Sequence, residues 1–153
     1  MATETRWSKT PVLAGVIDDG GVHPSAKGLA NGSAKLSAAI DNAASLERYV
    51  VLKLRCRGAS AFSTGGQVTI WLVTEYDSSY EDGSDSVIPA GNPVFVFGLR
   101  TVSTQQVMHT CVLEAPPCRF KLLIQNNGGQ AFTNTDDENE LFAGLLSDKA
   151  VAV

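Results

Sequence analysis

The chain has 153 residues with a formal net charge of -4 and a pI near 5.1, so the length predicts one domain with a sizeable core, and the acidic balance argues against nucleic acid as a partner. Hydrophobic residues make up 44% but charged residues only 18%, below the ~25% of an ordinary globular domain, which predicts that partners cover part of the surface. No run of eighteen or more apolar residues occurs, which excludes a transmembrane helix and predicts no membrane partner.

Residues 1–33 are the least core-like stretch. They hold five of the fourteen glycines, with Pro11 and Pro24. The start lacks a basic segment followed by an apolar core, which points away from a secretory leader. Trp7 and the run Pro11-Val12-Leu13-Ala14-Gly15-Val16-Ile17 are too apolar to rest in water, and the run has the length of one short strand. We expect an extended N-terminal arm over 1–33 that docks on a neighbour or stays disordered, and a folded domain over 34–153.

From Ala34 the pattern alternates. Ala34–Asp41 sets Lys35, Ser37 and Ala39 against Leu36, Ala38 and Ile40, and Asp41–Ser45 reads as a turn. Arg48–Arg57 places Val50, Leu52, Leu54 and Cys56 on one face and Tyr49, Val51, Lys53 and Arg55 on the other, as in an antiparallel sheet with one half-wet face. Gln67–Tyr76 follows, with Val68, Ile70 and Leu72 inward. Trp71 and Val73 then point outward, and Trp71 needs cover from a loop, the arm or another subunit.

About seventeen residues separate Tyr76 from Val94, far more than a tight hairpin needs. This stretch is acidic and rich in Gly and Pro, and it is expected to cross between sheets and present a surface. Val94–Arg100 is apolar on both faces, which predicts a central strand. Gln105–Glu114 is the next strand, and Ala115-Pro116-Pro117 ends it. Cys118–Gln125 alternates most cleanly, with Phe120, Leu122 and Ile124 inward. Asn126-Asn127-Gly128-Gly129 is a turn. Asn139–Leu146 reads as a strand with Leu141, Ala143 and Leu145 inward, with a helix opened by Asp136-Asp137-Glu138 as the alternative. The tail after Asp148 is expected to fray. Seven strands, or eight, predict an all-β, antiparallel β-sandwich of the jelly-roll kind.

A search for chemistry finds little. Cys56, Cys111 and Cys118 contain no C-x-x-C pair and read as reduced thiols, although Cys111 and Cys118 flank one turn. His23 and His109 lack companions at metal-binding or catalytic spacing. No G-x-S-x-G elbow and no phosphate-binding glycine loop is present. Asp77, Glu81, Asp82 and Asp85 form one acidic cluster, and Asp136, Asp137, Glu138 and Glu140 another. The first does not match a calcium loop, so both read as solvated acid. We therefore expect no enzyme, no catalytic residues, no metal and no cofactor.

Three stretches carry a resemblance: Leu36–Ser45 with Ala39-Ile40-Asp41-Asn42; Tyr80-Glu81-Asp82-Gly83-Ser84-Asp85-Ser86-Val87-Ile88-Pro89 with the strand to Arg100; and Phe120–Asn126 leading to Gly129 and Ala131. In that order they resemble jelly-roll structural proteins of tailed bacteriophages, some of them capsid cement or decoration proteins. The resemblance spans roughly residues 30–147. It implies a virion component made in the bacterial cytoplasm and placed on the outer capsid as a homotrimer. Its partners would be the major capsid protein and its own copies. Within that role Trp7, Pro11, Val12, Leu13, Trp71 and Tyr80 are the expected partner-binding residues. A receptor- or carbohydrate-binding knob of a head or tail fibre, using Tyr76 and Tyr80, is the alternative.

Overall fold

The computed structural model describes residues 3–7, 14–17, 24–77, 79–80, 83–110, 112–146 and 148–152, with the backbone alone for 3–7, 76 and 148–152. The strands of the first half are β1 (Thr3–Trp7), β2 (Ala14–Ile17), β3 (Ala34–Leu36), β4 (Ile40–Asp41), β5 (Tyr49–Cys56) and β6 (Gln67–Tyr76). They are followed by β7 (Ser79–Tyr80), β8 (Phe95–Gly98), β9 (Gln106–His109), β10 (Leu113–Glu114), β11 (Arg119–Asn127), β12 (Glu140–Leu146) and β13 (Asp148–Ala152). No helix occurs among the described residues. The last long element is therefore a strand, and Leu141 and Ala143 are buried in the core as the alternation requires.

Two antiparallel sheets form a β-sandwich. One has the order β10-β5-β12-β2, with β9 also on β5, and the other β3-β11-β6-β7, with β4 on β11 and β8 on β6. The pairing is nested. The first sandwich strand lies beside the last (β2 with β12), β3 and β4 beside β11, β5 beside β9 and β10, and β6 beside β8. The chain thus runs as one long antiparallel ribbon doubled on itself, and the connection between β6 and β8 is its innermost end.

Period-two alternation fills the space between the sheets. Val50, Leu52, Leu54 and Cys56 of β5 meet Val68, Ile70, Phe120, Leu122 and Ile124 of the facing sheet in one cluster. Burial pushes the Cys56 thiol up to about 12, so it serves as a small apolar core residue. Cys56 and Cys118 are free thiols.

Several expectations are corrected. Ala34–Asp41 is two strands, because at Ser37–Ala39 the backbone N–H of Ser37 reaches Leu122 O (2.8 Å) while that of Ala38 reaches Val16 O in the other sheet (2.9 Å). The strand after the long loop is not central: β8 pairs with β6 alone among the described strands, and Val96 is exposed. The long loop does not cross between sheets, since β6, β7 and β8 belong to the same one. The 33/34 boundary also fails to separate an arm from the domain. Residues 14–17 are an edge strand whose Ile17 is buried, and Ala26 sits in the core. The tail after Asp148 is β13, and it pairs with β1 as a separate two-stranded sheet (Trp7↔Asp148 to Thr3↔Ala152).

Candidate functional site

The outer face of β6 and β11 holds the two expected binding residues that the structure describes in full. Strand parity puts Val68 and Ile70 inward, so Trp71, Val73 and Glu75 face out. The register sets Leu123 opposite Trp71 and Lys121 opposite Val73. Bare, this would be an apolar patch. Instead the residues after Tyr76 fold back over it and make a second small core of Trp71, Val73, Leu123 and Ala34, packed by Leu36, Tyr80 and Ile88. Trp71 is only 7% exposed. Of its three expected covers, the loop supplies this one among the described residues.

The cover is fastened at successive points. Asp77 adopts φ 49°, a conformation Asp tolerates, and the chain reverses there so that Tyr80 lands opposite Glu75. The Tyr80 ring lies under the Lys121 ammonium, 4.2 Å from the centroid. Burial and the hydrogen bond to the Glu75 carboxylate hold the Tyr80 phenol above its ordinary value. Arg119 lies 3.4 Å from the same carboxylate. Further along, Ser84 and Val87 exchange backbone hydrogen bonds in a tight turn. That turn presents Asp85 to β3, where Oδ2 accepts from Lys35 Nζ (2.6 Å) and Oδ1 accepts from the Leu36 N–H (2.7 Å). Burial alone would raise the Asp85 carboxyl, but these two bonds and the Lys35 charge outweigh it and hold it below its ordinary value. Finally the Trp71 indole N–H donates to Gly91 O (3.3 Å), and the Val94 N–H donates to Ile70 O (2.8 Å).

Beside this roof an open groove of about 450 Å³ runs between the turn and β3, lined among others by Lys35, Ser84, Asp85, Ser86 and Lys121. Three carboxylates of the second acidic cluster are taken up in pairs. Glu138 binds Arg57 (2.5 Å) and the Thr133 hydroxyl (2.8 Å), Glu140 lies 2.7 Å from Arg55, and Asp136 pairs with Lys27. The Thr133 hydroxyl, then Arg57, hold the Glu138 carboxyl below its ordinary value. Among the described residues no three His, Cys, Asp or Glu side chains gather closely enough to hold one metal ion. His109 is exposed on β9.

The other sheet also has an outward face. There β9, β5 and β12 set His109, Lys53 and Phe142 in one row, and Val107, Arg55 and Glu140 in the next. Of the remaining expected binding residues, Pro11, Val12 and Leu13 lie outside the described residues, and Trp7 is placed only as the end of β1 opposite Asp148. Glu81, Asp82, Cys111 and His23 also lie outside them. Asn42 and Asn126 are fasteners that sequence reasoning misses. The Asn42 amide N–H groups donate to Glu47 O and Pro116 O, while its carbonyl accepts from the Glu47 N–H; Asn126 does the same for Leu29 O, Gln130 O and the Gly128 N–H. An Asn in a turn reads as a turn former, whatever its amide binds. No family model matches this chain, and no curated protein matches its sequence.

Proposed function

We propose that this chain is a jelly-roll structural protein of a phage virion, a decoration protein that binds the outer capsid surface and bridges subunits of the shell. The nested order of strand pairs supports the jelly-roll assignment, since that fold is a long antiparallel ribbon rolled into two sheets. Fold alone does not give function. The observation that carries the bridging role is the β1–β13 ribbon, a two-stranded sheet that pairs with neither sandwich sheet among the described residues. An isolated two-stranded ribbon is marginal in water and gains stability by packing on something else. Pairing of the two end segments gives the protein one such element to lay on a shell subunit or a sister copy. In this role the copies form a trimer over a junction of the major capsid protein, and the interface adds contact area where internal pressure would separate subunits.

The test removes residues 1–7 and 148–153, which spares Ile17 and Ala26 of the core, and measures occupancy on purified shells and heat release of DNA. Occupancy should fall while the melting transition of the free protein stays within a few degrees. Unchanged occupancy would remove the ribbon from the account, and failure of the intact chain to bind shells would end the decoration role.

The groove beside the roof favours a second function, a receptor- or carbohydrate-binding knob. Hydroxyls of Ser84 and Ser86, the Asp85 carboxylate and the amines of Lys35 and Lys121 converge there, a donor and acceptor set suited to a sugar. Glycan-array binding lost in Ser86→Trp would support it, and array silence together with shell binding would exclude it.

A further inference from the structure

We propose that the outer face of the five-stranded sheet, around Lys53 and Phe142, is a docking surface for an acidic protein surface. The partner sets a carboxylate against Lys53 and apolar side chains against Val107 and Phe142.

Register puts His109, Lys53 and Phe142 side by side across β9, β5 and β12. The Lys53 ammonium stands 4.7 Å from the Phe142 ring centroid, with the Arg55 guanidinium 5.6 Å from the same centroid on the neighbouring row. Their charges are used differently. Arg55 lies 2.7 Å from a Glu140 carboxylate oxygen, while Lys53 makes no ion pair with a described residue. The aromatic ring holds the ammonium in place, so little side-chain freedom remains to be lost on binding. Beside it Val107 is 50% exposed, and Phe142 is half-buried. A cation with no carboxylate partner among the described residues, flanked by an aromatic and an exposed aliphatic group, has the composition of an interface core.

The charge pattern selects the occupant. A nucleic acid needs several unspent cations in a track, and here Arg55 and Arg57 already face Glu140 and Glu138 in a chain of net charge -4. A second copy docked across a two-fold axis through this patch would set Lys53 against Lys53. An acidic protein surface meets neither objection, and its carboxylate gives orientation as well as affinity. This docking does not depend on the partner being a capsid shell.

The experiment is an amide NMR titration of the full chain with a short peptide of alternating Glu and Leu, beside an oligothymidylate of equal charge. The peptide should shift the amides of Lys53, Arg55, Val107, His109 and Phe142 saturably, and more weakly as salt rises. Lys53→Glu should weaken binding by about tenfold or more. Val107→Glu, at an exposed position that the fold does not need, should act in the same direction and covers the case of a misfolded Lys53→Glu. Shifts centred elsewhere, no saturable shift, or wild-type affinity in both variants would overturn the proposal. So would tighter binding of the oligothymidylate to this face, which would make a phosphate polymer the partner.

Discussion

The two outer faces of the sandwich use the same contact in opposite settings. On each, a lysine ammonium stands over an aromatic ring: Lys121 over Tyr80 at 4.2 Å and Lys53 over Phe142 at 4.7 Å. On the six-stranded sheet the ring is delivered by the chain's own hairpin, and behind it Trp71, Val73 and Leu123 are sealed from water. On the five-stranded sheet the ring comes from the neighbouring strand, and no matching outer cluster forms among the described residues. An outward tryptophan is therefore no sign of a binding surface by itself. What decides is whether the chain supplies the cover, and here the face with the more conspicuous apolar residue is the one already closed.

The largest expected effect breaks the closed face. Trp71→Ala removes the centre of the second core and should cost about 3–5 kcal/mol in urea unfolding. Phe142→Ala, on the open face, should cost distinctly less in the same measurement. Equal losses would mean that the open face is covered as well. A smaller effect comes from Gly83→Ala. A Cβ there would stand 2.8 Å from Val73 Cγ2 and 3.3 Å from Pro89 Cγ, so the roof must lift. The expected cost is about 1–3 kcal/mol, with a red shift of Trp71 emission in a Trp7→Phe background. Unchanged emission would show that the roof does not rest on Val73.

Much of this contrast is hidden from the sequence for physical reasons. The strands β5, β6 and β11 were legible because each has one face in the main core, which enforces alternation over eight to ten residues. Strand β8 misled because Phe95-Val96-Phe97 is apolar on both faces, yet Val96 looks to solvent at an edge. Pairing partners were not legible at all, since alternation says which face is buried and not which strand is adjacent. The 77–94 connection has the Gly, Pro and acid of any wet loop. Its role as a cover shows only in long-range contacts, such as the aspartate that reaches β3 some fifty residues back. Lys53 was visible only as part of a half-wet face, because its having no ion pair among the described residues is a fact of three dimensions.

Asp85 gives a finer test of the roof. Asp85→Asn keeps the shape of the side chain but removes the charge from its bonds to Lys35 and Leu36 N. Both partners are partly solvated, so the cost should be about 0.5–1 kcal/mol. The carboxyl lies below its ordinary 3.8 in the folded protein. Its stabilising effect is therefore complete above 3.8 and is lost as pH falls through the lower folded value. Trp71 emission in the Trp7→Phe background should hold constant from neutral pH down to that range and then shift to the red. The Asp85→Asn variant should lack this step. A step near neutral pH would assign the fastening to another group.

The smallest expected effect lies on the open face and is the sharpest for the comparison. A cation over an exposed aromatic ring contributes only about 0.5–1 kcal/mol, and Lys53 has no ion pair with a described residue to lose. Lys53→Ala should then change unfolding free energy by no more than about 1 kcal/mol, well below Trp71→Ala. If Lys53→Ala destabilised the fold as strongly as Trp71→Ala, the lysine would be a structural fastener like Asp85, and the two faces would differ only in where their cover comes from. If the fold tolerates the change while binding of the acidic peptide weakens, the stacked cation serves recognition. The closed face would then contribute stability, and the open face a partner.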